Sequence, residues 1–167
     1  MAEKALYVLA GYDDDTEREL ARIQNVLYEK GFSGSQTKGI PMHFTLGSYD
    51  TSREEELKER LEQIAKTQAA FPAGFNHIGL FTLPASDVLF LQPEITTEML
   101  QLKDCFQDNM DTFSWSPHTT LLIDKREEIL RAIPIVEEEF KPMTGKVSAL
   151  YLYEFWPTRH ILTVRFS

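Results

Sequence analysis

Cys105 is the only cysteine in 167 residues, so no intrachain disulfide can form, and a disulfide-stapled secreted scaffold is excluded. A lone thiol fits a reducing compartment. Long apolar runs are missing as well: none nears the roughly 20 residues that a spanning helix requires. The stretch Met1 to Tyr12 carries one lysine and a short apolar run, without a small-residue cleavage signature. These absences predict a cytoplasmic protein with no membrane partner. Basic charge is scarce too, with 17 Lys and Arg against 26 Asp and Glu and a formal net charge of −9. Such a surface repels a polyanion, so long duplex nucleic acid is a poor partner. A small phosphate ester or an RNA terminus, held by a few local donors, is not excluded by charge. A 43% hydrophobic share is ordinary for a globular chain, and a chain of this size can fold on its own core without a structural metal.

The pattern along the chain alternates strands and helices. Ala5 to Tyr12 is a compact, β-prone apolar run. Asp13 to Thr16 supplies capping oxygens for a helix over 17–30, which Gly31 ends. His43 to Tyr49 is a strand, and Thr51-Ser52 caps a helix reaching about Lys66. Strands follow at 75–83 and 88–92, with Pro84 to Asp87 as the hairpin loop. A helix over 96–110 precedes a strand at His118 to Ile123. Residues 125–140 read as a helix that Pro134 should break or kink. The last strands are 146–155 and 160–166. The order strand, helix, histidine strand, helix, strand thus occurs twice, which predicts one domain over 1–167 with pseudo-symmetric lobes near 1–83 and 84–167.

Each histidine strand opens alike, His43-Phe44-Thr45-Leu46 and His118-Thr119-Thr120-Leu121. Side chains alternate across a strand, so each places an imidazole and a hydroxyl on one face and apolar groups on the other. Two imidazoles near neutral pH can divide a phosphodiester reaction between them. One neutral ring takes a proton from the attacking group, and the other, protonated, gives one to the leaving oxygen. Thr45 and Thr120 can donate to the non-bridging oxygens, where charge must be stabilised. Neither a metal nor any other cofactor is needed by this scheme.

The paired His-x-Thr-Leu motifs, 75 residues apart in a duplicated unit, resemble the 2H phosphoesterase superfamily, which includes 2′–5′ RNA ligase-like proteins and cyclic phosphodiesterases. The resemblance implies an α+β, bilobal fold with two mainly antiparallel β-sheets, outer helices and a central cleft. It also implies metal-free hydrolysis of 2′,3′-cyclic phosphate ends of RNA or nucleotides, usually giving a 2′-phosphomonoester. His43 and His118 carry over as the catalytic pair, with Thr45 and Thr120 binding substrate; which histidine is acid and which is base stays open. The alternatives are a protein that binds or joins RNA ends with little turnover, and a non-catalytic scaffold. The expected partner is a small cyclic phosphate, nucleotide or RNA end, met by a monomer.

Other residues draw attention without a matching pattern. His77 and His160 lack the short spacing of a metal site. Tyr49, Tyr151, Tyr153 and Trp156 could stack a base, but sheet packing and loop anchoring are their default roles. Asp124 could tune His118 or simply cap a loop. Only the loop Gln36 to Gly39, with Lys38, and the turn carrying Arg159 are placed to bring a cation toward a phosphate.

Overall fold

The computed structural model describes residues 3–167; Met1 and Ala2, the first residues of the amino-terminal stretch read above, lie outside it. Seven strands and four helices follow in the order β1 (Ala5–Tyr12), α1 (Asp14–Glu29), β2 (His43–Tyr49), α2 (Glu54–Thr67), β3 (Phe71–Thr82), β4 (Asp87–Pro93), α3 (Thr97–Asp104), β5 (Thr119–Asp124), α4 (Arg126–Glu139), β6 (Met143–Phe155) and β7 (Arg159–Arg165). Among the described residues no helix is long and apolar enough to cross a membrane.

The strands form one continuous antiparallel sheet ordered β2-β1-β6-β3-β4-β5, with β7 also on β6. Two separate sheets were expected; they are joined because β3 and β6 are long enough to serve both halves. Met143 to Val147 of β6 pairs with Phe71 to Phe75 of β3. The rest of β6 pairs with β1 on one side and β7 on the other. The duplication shows in the pairing: β1–β2 corresponds to β4–β5, and β1–β6 to β4–β3. Only β7 has no counterpart.

Helices form where caps and apolar spacing coincide. Asp13 accepts from the Thr16 amide at 3.0 Å and starts α1, which buries Leu20, Ile23 and Leu27 on one stripe. Asp50, rather than Thr51 or Ser52, caps a single 3-10 turn that leads into α2, whose Leu57, Leu61 and Ala65 face the core. Thr96 caps α3, which ends at Asp104, earlier than the expected 110. Pro134 lies inside an unbroken α4. The carbonyl that its missing N–H leaves without a partner is that of Leu130, an exposed residue.

The alternation along β1, β2 and β6 divides the side chains between two faces. Leu6, Val8, Ala10, Phe44, Leu46, Leu150 and Leu152 enter the main core. Tyr7, Leu9, Tyr151, Tyr153 and Phe155 form a smaller apolar cluster on the opposite face. Gly11 belongs there because a Cβ at this position would lie 2.3 Å from the Tyr151 ring.

The sheet curls so that β2 and β5, at opposite ends of its order, touch. Polar groups from neighbouring elements brace each of them. Tyr12 Oη and Thr119 Oγ1 hydrogen-bond at 2.6 Å through the core. Along the free edge of β2, Trp115 Nε1 donates to Thr45 O at 2.8 Å and Lys103 Nζ to Leu46 O at 2.7 Å. On β5, Gln24 Nε2 from α1 donates to Leu121 O at 3.0 Å.

Candidate active site

Both motifs carry the same backbone irregularity. Val8 and Leu9 pair with Gly47 and Thr45, which leaves Leu46 as an extra residue. Leu89 and Phe90 pair with Leu122 and Thr120, which leaves Leu121 extra. A β-bulge therefore falls on the fourth residue of each motif, a device that re-aims neighbouring side chains. Up to that point alternation holds: Phe44, Leu46, Thr119 and Leu121 are buried, while His43, Thr45, His118 and Thr120 are half-buried. His118 itself precedes β5 by one residue instead of opening it.

The two rings are anchored in one manner. His43 Nδ1 lies 2.7 Å from the carbonyl of Pro41, and His118 Nδ1 lies 2.8 Å from the carbonyl of Ser116. A carbonyl only accepts, so Nδ1 is the donor in both rings and each neutral ring keeps its lone pair on Nε2. Burial lowers the pKa of both. For His43 the value falls to about 4, with the Pro41 carbonyl opposing the shift and charge on His118 adding to it. For His118 burial lowers the pKa against the effect of Ser116. The rings are thus close enough for the charge of one to act on the other.

A cavity of about 210 Å³ opens beside them, and His43, Thr45 and Thr120 line it together. His118 does not; its ring sits against Phe81 and Phe90, with centroids 4.8 and 5.3 Å away. Three of the four expected groups therefore meet in one cavity, and the fourth adjoins it two residues before Thr120. Gln24, Gln36 and Thr37 add polar groups, and Tyr7, Phe155 and Trp156 form an aromatic wall. Trp156 is 44% exposed, so it is a wall of the cavity and not a loop anchor. Tyr7 and Phe155 went unnoticed in the sequence; their odd-numbered register with Leu9 and Tyr153 was the available signal.

Among the described residues no lysine or arginine lines the cavity. Arg159 is held by Glu54 and Glu154, and Lys38 Nζ lies 4.9 Å over the Tyr28 ring. Neither delivers the cation expected of it. His77 bonds Gln92 and His160 bonds Thr163, both away from the cavity. Asp124 accepts from the Lys125 amide at the start of α4 and does not meet His118. Tyr49 is a core residue whose hydroxyl donates to Asp108 at 3.0 Å. Among the described residues no three His, Cys, Asp or Glu side chains cluster as metal ligands would.

Solved structures of similar shape span nearly the whole chain. A crystal structure described as a phosphoesterase matches with a TM-score of 0.63 and 16% identity, covering 99% of both chains. Escherichia coli LigT complexed with 3′-AMP matches at 0.61 and 14%, covering 98% of both. The protein TT0787 of Thermus thermophilus matches at 0.60 and 13%, covering 97% of both. A search of curated proteins by sequence found no match. A sequence model of the 2′-5′ RNA ligase superfamily matches residues 12–155, which takes in both motifs and the whole of strands β2 to β6. The chain belongs to the 2′-5′ RNA ligase superfamily.

Proposed function

We propose that this protein hydrolyses small 2′,3′-cyclic phosphodiesters, on nucleotides or RNA ends, by general acid–base catalysis from His43 and His118. The observation that carries this reading is the shared tautomer: two nearby rings, each fixed through Nδ1, each with Nε2 left for proton transfer. One Nε2 takes a proton from water as the new P–O bond forms. The other gives a proton to the ribose oxygen as the old P–O bond breaks, so a phosphomonoester results and no metal takes part. Thr45 and Thr120 donate to the non-bridging oxygens. The aromatic wall supplies a face for a base. E. coli LigT, which shares the fold, has been crystallised with 3′-AMP, NADP+ and ATP. A cavity without a lysine or arginine suits a singly charged diester better than a doubly charged monoester, which favours product release.

The test is a panel of cyclic and linear phosphodiesters assayed with and without chelator. Cyclic substrates should turn over regardless of chelator, and His43→Ala and His118→Ala should each lose roughly 10²–10⁴-fold in kcat. Wild-type turnover in either variant, or activity abolished by chelator, removes the reading.

A further inference from the structure

The two histidines are anchored alike but not backed alike. The carbonyl that accepts from His43 Nδ1 is that of Pro41, and the nitrogen of the same peptide group is Met42 N. That N–H points at Glu17, whose two carboxylate oxygens lie 3.0 and 3.2 Å away. An N–H shared between both oxygens suits a carboxylate, in which the two accept alike, and this hydrogen bond favours the charged form. One planar amide therefore joins a carboxylate to an imidazole. Donation of its N–H to a negative charge shifts electron density onto its oxygen, and Pro41 O accepts more strongly from Nδ1–H. At the other ring the accepting carbonyl belongs to Ser116, and the next nitrogen is that of Pro117, which has no N–H. No side chain can polarise that amide in the same manner.

This asymmetry bears on the step that the pseudo-symmetric motifs leave undecided. A general base begins neutral and becomes positive in the transition state, so it gains from a negative charge relayed to its far nitrogen. A general acid begins positive and gains nothing from such backing as it discharges. Building on the acid–base reading above, we infer that Glu17 is a positioning residue acting through the Pro41–Met42 peptide, and that it makes His43 the proton acceptor and His118 the donor. The charged and titratable groups around this relay act on it in both directions. Burial raises the pKa of Glu17, and the Met42 N–H and Arg165 on β7 oppose that shift in favour of the carboxylate. Tyr12 on β1 and Tyr151 and Tyr153 on β6 face the same carboxylate and stay neutral, their pKa values raised. His118 faces His43, and a proton on it keeps His43 neutral at rest.

Glu17→Gln in the full chain tests this, because it keeps the shape and removes the charge. Two readouts are needed. By NMR titration of the resting protein, the His43 ring should titrate about half to one unit lower than in wild type, with the His118 ring unmoved. In kinetics on a cyclic diester, the acidic limb of kcat/KM should move down in pH by the same amount, because that limb reports protonation of the base. The alkaline limb should hold, and kcat should fall roughly tenfold with little change in KM. An unmoved acidic limb, a displaced alkaline limb or a shift at His118 overturns the inference. If no cyclic diester turns over, the proposed function falls while the ring titration still decides the relay. If the variant does not fold, the wild-type protein decides. In it His43 must titrate below His118, and the Met42 amide and His43 Nδ1 protons must respond together to titration of Glu17. The reverse order, or independent responses, removes the assignment.

Discussion

Burial of His43 ties the folding equilibrium to pH. Its pKa falls from 6.5 to about 4 in the folded chain, so between those values the unfolded chain binds the extra proton. The contribution is fully present above about pH 6.5 and is lost as pH falls toward 4. It amounts to on the order of 2 kcal/mol once partial exposure is discounted. Urea denaturation of wild type and His43→Gln at pH 5 and 7 checks this: the wild type should gain more stability between the two pH values. Equal gains would mean that the ring titrates normally. At this scale the sequence was informative about which side chains share a face, since alternation along a strand needs no tertiary knowledge. It was silent about Glu17, because the contact with Met42 spans 25 residues and follows no periodicity.

Elements obey the same division between local and distant causes. The strand–helix order was legible because caps, apolar stripes and turn residues act within a few positions. The bulges at Leu46 and Leu121 were not, because a bulge is a property of two strands and neither motif marks it. Pro134 was read as a break or a kink on helix chemistry alone; the helix runs on through it, at a position where Leu130 is exposed. Gly11 was another silent requirement, set by Tyr151 on a neighbouring strand. Gly11→Ala drives a methyl group into that ring and should cost about 1–3 kcal/mol, read as a drop in the denaturation midpoint. Because Gly11 pairs directly with His43, the variant should also lose activity under conditions where it is folded. Unchanged stability would mean that Tyr151 has room to move.

For the whole molecule, charge predicts a short ligand. A net charge of −9 and a cavity without lysine or arginine leave few groups that could release counterions from a nucleic-acid strand. Affinity for a short RNA with a cyclic phosphate end should therefore fall with salt at a logarithmic slope of about −0.7, the value for one phosphate contact on a single strand. Lengthening the RNA should not steepen it. A slope several times larger would point to an extended binding track outside the cavity.

The free edge of β2 is closed by Lys103 and Trp115, which lie later in the chain than the β3–β4 turn, and that of β5 is closed by Gln24, which lies before it. Each half of the chain thus finishes the other's histidine strand. Were the halves separate molecules, the cleft would exist only at concentrations high enough for them to meet. Joined through one hairpin, they meet at any dilution, and the site forms as an intramolecular event whose yield does not depend on how much protein is present.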